Sequence, residues 1–150
     1  MKKTYDTLPE LSLKYRHNEA IQKVQIRSAS DSERVLRQMY DADTLEYLEA
    51  CIVIYLNRAN KTIGWMKVSQ GGITGTVVDA RIIIATALKV GACGIIISHN
   101  HPSGNLEPSV ADDKLTTRLN EGCILLDLKL LDHLIITAEG YYSYSEMGKL

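Results

Sequence analysis

The sequence predicts a single α/β domain, a mixed β-sheet flanked by helices. Three observations predict it. Residues 51–56 and 94–98 are short runs of β-branched and apolar residues, the composition of buried strands. Serine and aspartate stand at capping distance ahead of stretches with helical character. The order of elements (hairpin, helix, strand, helix, strands) is not a strict βαβ repeat, so the sheet is expected to be mixed. A chain of 150 residues is long enough for one ordinary core and too short for two.

Residues 1–27 read as an N-terminal extended arm or hairpin, with short alternating stretches at 11–15 and 24–26, ahead of a domain over 28–150. Ser30 with Glu33 forms a capping-box pattern that opens a helix through about Met39. Asp43 with Glu46 repeats it before a short helical turn holding Leu45 and Leu48. Residues 51–56 and 62–69 are then two strands of a hairpin around a turn at 57–61. Gly71-Gly72 marks a loop, and Asp79 caps a helix over 80–89 that Gly91 ends. The strand at 94–98, wholly apolar before Ser98, belongs at the centre of the sheet, followed by a turn-rich loop over 99–108. Ser109 opens a helix ending near Gly122, and 125–128, 134–137 and 141–144 read as closing strands.

Composition narrows the function classes. Lys plus Arg total 17 against 18 for Asp plus Glu, a formal net charge of −1, which lacks the general footprint of a nucleic-acid binder. Residues 1–40 carry 8 basic and 5 acidic groups, a modest basic excess that suits a solvated surface. No apolar run is long enough to span a bilayer, and MKKTYDTLPE has no apolar signal-peptide core, so a cytoplasmic location is expected. Cys51, Cys93 and Cys123 are odd in number and lie in apolar segments, as reduced core residues do. No CxxC, GxGxxG or Walker A pattern occurs.

One segment carries chemistry: Ser98-His99-Asn100-His101-Pro102-Ser103-Gly104, followed by Ser109-Val110-Ala111-Asp112. Residues i and i+2 of an extended segment share a face, so His99 and His101 can converge on one point. Pro102 ends the extended segment and Ser103-Gly104 turns the chain back, so that Asp112, on the first turn of the next helix, can return a carboxylate there. Two imidazoles and a carboxylate with a fourth position open are the ligand set of a catalytic zinc. A proton carrier that is not a ligand is also needed. Glu49, just before the apolar strand, is the candidate, with Glu46, Glu107 and Asp132 as rivals. Each piece also has a plainer reading. His-x-His occurs as a surface or core pair, Ser109-x-x-Asp112 as a capping box, and Glu49 as a solvated helix-end carboxylate.

His99-x-His101, seven residues, then Ser109-x-x-Asp112, with Glu49 upstream, resembles the JAMM signature of the JAB/MPN metalloprotease fold. His99-Asn100-His101-Pro102-Ser103-Gly104 with Glu107-Pro108-Ser109-x-Ala111-Asp112 is similar to its RadC branch. Gly71-Gly72, Ala87, Gly94 and Leu131-Asp132-His133-Leu134-Ile135 add to the likeness, which runs from about residue 28 to the C-terminus. The resemblance implies a JAB/MPN, cytidine-deaminase-like fold in a short stand-alone form, often carried on mobile elements, without a helix-hairpin-helix DNA-binding region. It implies Zn²⁺ held by His99, His101 and Asp112, Glu49 as general base and acid, and Ser109 as a donor to the oxyanion. Asp132 and His133 are candidates to support the zinc-bound imidazoles, or else an aspartate–histidine link bracing the last strands. Asn100 departs from the Ser or Thr of eukaryotic-type deubiquitinating members, which makes ubiquitin-like substrates less expected. The expected activity is that of a zinc-dependent peptidase or isopeptidase acting on a peptide or protein. The alternative is a DNA-repair-associated or mobile-element accessory protein without proteolytic activity.

Overall fold

The computed structural model of the chain describes residues 22–72 and 75–150. In chain order these form α1 (Ala29–Arg37), β1 (Ala50–Leu56), β2 (Thr62–Gln70), α2 (Ala80–Val90), β3 (Gly94–Asn100), α3 (Val110–Leu125), β4 (Lys129–Ile136) and β5 (Tyr141–Ser143). The five strands make one sheet in the order β2-β1-β3-β4-β5. β3 lies parallel to β4, across the α3 crossover, and every other neighbouring pair is antiparallel. The expected mixed sheet flanked by helices is therefore present.

β1 and β3 occupy the interior of the sheet and are buried along their whole length, which accounts for their unbroken apolar runs. Side-chain alternation divides the core in two. Cys51, Val53, Tyr55, Ile95 and Ile97 face α2 and α3, where they meet Ile83, Ala87, Leu119 and Cys123. Ile52, Ile54, Leu56 and Ile96 face α1, where they meet Val35 and Leu36. No helix among the described residues is long and apolar enough to cross a membrane.

Several boundaries differ from the sequence expectation for identifiable reasons. The cap of α1 is Ser28, whose side chain accepts from Asp31 N–H, so Ser30 lies inside the helix, which ends at Arg37 rather than near Met39. The turn after it is organised by Asp41, whose side chain accepts from Asp43 N–H, rather than by Asp43 itself. β3 continues through His99 and Asn100, because both keep pairing with β4 (Ile135 and Ile136). α3 does not stop at Gly122: a Cβ there would come within 2.7 Å of Ile84 Cδ1, so this glycine lets α3 lie close to α2. The helix consumes the start of the strand expected at 125–128, and Asp127, with φ of 55°, turns the chain into β4. Cys93 is exposed in the turn before β3, while Cys51 and Cys123 are buried, all three as free thiols.

The stretch expected at 11–15 lies outside the described residues. At 24–26 the chain is tied to the β1–β2 turn: Ile26 N–H donates to Asn60 O and Thr62 N–H to Val24 O.

Candidate metal centre

The site forms where the C-terminal end of β3 meets the N-terminus of α3. His99 and His101 fall on the α2/α3 face of the sheet by strand alternation, and the turn through Gly104 (φ 80°) returns the chain to Ser109. There Ser109 and Asp112 form a true capping box. Ser109 Oγ accepts from Asp112 N–H at 3.2 Å, and Asp112 Oδ2 accepts from Ser109 N–H at 2.7 Å and from Ser109 Oγ–H at 2.6 Å. The capping reading and the ligand reading of this motif coexist. While Oδ2 closes the cap, Oδ1 stands 3.1 Å from His99 Nε2, and His101 Nε2 lies 3.6 Å from Oδ2. The ligand atoms of His99, His101 and Asp112 all lie within 4.8 Å of one another, a group that could hold a metal ion.

Hydrogen-bond partners settle which ring nitrogens face that point. His101 Nδ1 meets the Asn105 carbonyl at 2.7 Å, so Nδ1 carries the proton and Nε2 presents its lone pair inward. For His99 the assignment runs through a chain of bonds. Thr116 Oγ1–H donates to the Asp112 carbonyl (2.7 Å) and must therefore accept from His133 Nδ1–H (2.6 Å). His133 Nε2 then accepts from His99 Nδ1–H at 2.8 Å, leaving the His99 Nε2 lone pair inward as well. The two Nε2 atoms are 3.0 Å apart. Two lone pairs and a carboxylate at such range repel unless a cation lies among them, and this donor set fits a zinc ion.

Without a metal ion, a proton on an imidazole Nε2 can take the cation's place beside the carboxylate. Burial alone would raise the Asp112 carboxyl, but hydrogen bonds from His101 and His99, the His99 charge and Ser109 hold it well below the usual carboxylate range. The bond to Asp112 raises His101 above its ordinary value, against the effect of burial, and the Glu49 charge adds to the rise. His133 is driven well below its ordinary value by burial and by the charge on His99, which keeps it neutral, as the bond chain requires. Tyr144 stacks on its ring at 4.9 Å between centroids.

Glu49 lines a cleft of about 280 Å³ together with His99 and Asp112; Cys51, Thr76, Val77, Val78, Ala111 and Leu115 complete it. Cys51 pairs with His99 across β1 and β3, which places the start of β1 beside the histidines. The rival carboxylates lie elsewhere. Glu46 and Glu107 are exposed and are not part of the cleft lining. Asp132 is buried, but its bonds run to Ser143 Oγ, Ser145 N–H and His133 N–H. The Asp132–His133 pair is therefore divided. His133 touches His99, whereas Asp132 braces β4 against the segment that follows it and supports neither imidazole. Among the described hydrogen bonds the Asp132 carboxylate meets His133 at its backbone N–H and not at its ring.

Sequence reasoning missed Thr116 and Asn100. Thr116 stands one helical turn beyond Asp112, a spacing that was readable. Asn100, an amide amid residues of a buried strand, is fully buried and bonded on the face of the sheet opposite the histidines.

Known proteins are similar to this chain. A UPF0758 protein of Flavobacterium johnsoniae is 48% identical over 96 residues, 64% of this chain and 42% of that protein. A UPF0758 protein of Streptococcus sanguinis is 36% identical over 137 residues (91% of this chain, 59% of that protein). One of Aquifex aeolicus is 35% identical over 143 residues (95% and 59%). The chain thus spans about half the length of these curated relatives. The family described as RadC-like JAB domain matches residues 26–149, which include every element of the sheet and all of the clustered side chains. With that match over most of its length, the chain belongs to the RadC-like JAB domain family.

Proposed function

We propose that the protein is a zinc-dependent hydrolase of amide bonds, a peptidase or isopeptidase acting on a peptide or protein. One observation carries the reading: the ligand atoms of His99, His101 and Asp112 lie within 4.8 Å of one another, and His99 and Asp112 line the same cleft as Glu49. A zinc ion held by these three residues would supply Lewis acidity toward a water and toward the carbonyl of the scissile amide. Glu49, outside the ligand group, takes a proton from that water on its carboxylate and returns it to the leaving nitrogen. Ser109 Oγ–H is engaged with Asp112 Oδ2. Turned toward the cleft, the same hydroxyl donates to the developing oxyanion, while Ser109 N–H keeps Asp112 anchored. His133 holds the His99 ring in its working tautomer. Val77, Val78, Ala111 and Leu115 give the cleft an apolar wall, which strengthens charge interactions inside it.

The test combines metal analysis with turnover. The purified chain is expected to hold zinc, to cleave labelled denatured casein or members of a mixed peptide library, to stop when chelated and to recover with added zinc. His101→Ala should lose zinc with little loss of fold. A zinc-loaded chain that cleaves neither substrate overturns the reading. Tight, strongly salt-dependent binding to DNA in that same sample would transfer it to a DNA-associated accessory role.

A further inference from the structure

Asn100 separates the two histidines in sequence and points the other way. It is wholly buried, and its side-chain hydrogen bonds all reach one stretch of chain, residues 45–50. Nδ2 donates to Leu45 O at 2.6 Å and to Leu48 O at 2.9 Å, and Oδ1 accepts from Ala50 N–H at 2.8 Å. Glu49 lies inside that bracket. From the other side its backbone is gripped by the glycine pair: Gly71 N–H donates to Glu49 O at 2.8 Å and Glu49 N–H to Gly72 O at 3.4 Å. A side chain at Gly71 would not fit, since its Cβ would lie 2.1 Å from Gly75 O. Among the described residues the Glu49 carboxylate has no hydrogen bond or ion pair of its own. Its place at the cleft is therefore set by its backbone.

We propose that Asn100 is the positioning residue for Glu49, tying the strand that carries the ligand histidines to the segment that carries the proton carrier. The catalytic meaning of this tie rests on the hydrolase reading above; the tie itself does not. The residue type follows from the contacts. Two carbonyls and one N–H must be satisfied from a single side chain inside the protein, and a primary amide supplies two donors and an acceptor at that reach. An aspartate offers acceptors to carbonyls, and an alanine leaves two carbonyls and one buried N–H without this partner. Because Asn100 sits between His99 and His101, a movement of this strand end shifts ligands and proton carrier together and preserves their spacing.

The experiment uses Asn100→Ala and Asn100→Asp in the full, zinc-loaded chain. It reads zinc content, amide hydrogen exchange at Glu49, Ala50 and Gly71, and kcat and KM on labelled casein. In Asn100→Ala, exchange at Ala50 and Glu49 is expected to rise about tenfold or more, the worth of roughly one hydrogen bond. Residues 52–56 and the zinc content should stay as in the parent. Casein turnover should fall by about tenfold or more in kcat with little change in KM, the signature of a group needed only as the reaction proceeds. Asn100→Asp keeps the acceptor for Ala50 N–H, so exchange rises at Glu49 and stays parental at Ala50. This near-isosteric variant decides the matter if Asn100→Ala does not fold. Parental exchange at Glu49 and Gly71 in the folded variants overturns the proposal. So does loss of zinc without a change in exchange over 45–50, which would assign Asn100 to the ligand strand alone. If the parent holds zinc but cleaves nothing, the hydrolase reading fails while exchange still decides the tie.

Discussion

The two faces of the sheet use the same strands for different ends. On the α1 face the side chains of β1 and β3 close on Val35 and Leu36, and the polar residues at the end of β3 are satisfied internally: Ser98 by Tyr40 and Asn100 by the 45–50 segment. On the α2/α3 face the apolar packing stops short of the strand end. There His99, His101 and Asp112 turn their ligand atoms toward one another, beside an open cleft. Neighbouring residues of one strand thus divide between a polar network closed within the fold and a cluster that borders the cleft. The second side is where the clustered ligand atoms could hold a metal ion.

The contrast makes the open face the place where activity is lost without stability and the closed face the reverse. The largest effect expected is on the open face. Glu49→Gln should keep zinc and thermal midpoint while reducing casein turnover by on the order of 10²–10⁴-fold. A turnover within a few-fold of the parent would show that the cleft carboxylate is a bystander.

The closed face is broken by Leu36→Ala. Leu36 is fully buried in the α1 cluster, and its truncation should cost about 2–5 kcal/mol in denaturant unfolding, with zinc retained by the folded fraction. A cost under about 1 kcal/mol would mean that α1 contributes little to the core.

The divided pair Asp132–His133 sharpens the comparison within one strand. His133→Ala should weaken zinc binding by about 10–100-fold in chelator competition, because His99 loses the acceptor that fixes its tautomer. Asp132→Asn, whose side chain bonds Ser143 and Ser145, should leave zinc affinity at the parental value. Equal losses in the two variants would contradict the separation of their roles.

The smallest effect concerns the entry to α1. Ser28→Ala should cost about 1 kcal/mol as a lost N-cap, whereas Ser30→Ala, inside the helix, should stay within about 0.5 kcal/mol of the parent. The reverse order would restore the cap to Ser30.

These outcomes bear differently on what could be read before the structure. The order of strands and helices was legible because β1, β3 and α2 carry their own signals: unbroken apolar runs for buried strands, and Asp79 and Gly91 as the caps of α2. The boundary errors arose where a local signal had a competitor. Ser30-x-x-Glu33 has the spacing of a capping box, yet Ser28 with Asp31 offers the same bond two residues earlier and takes the cap. Gly122 looks like a helix end, yet its lack of a side chain serves the close approach of Ile84. At the site, Glu49 was the candidate by its place before the apolar strand, and Glu46, Glu107 and Asp132 were rivals that the sequence left open. The register that pairs Cys51 with His99 is what brings the start of β1 to the histidines.

The sequence by itself determined which residues could form the cluster. His99-x-His101 shares a face because strand side chains alternate with period two, and Ser109-x-x-Asp112 folds on itself because a helix start leaves its first N–H groups unpaired. Both are local consequences of backbone geometry over a few residues. The tertiary structure decided everything that depends on strands meeting across long stretches of chain. The β1–β3 register brings Glu49 to the cleft, the parallel β3–β4 pairing sets His133 behind His99, and Asn100 reaches back about fifty positions to hold the 45–50 segment. Such contacts come from packing two core layers onto one sheet. The same apolar runs would suit other registers, and only closure against α1 on one side and α2 and α3 on the other selects this one.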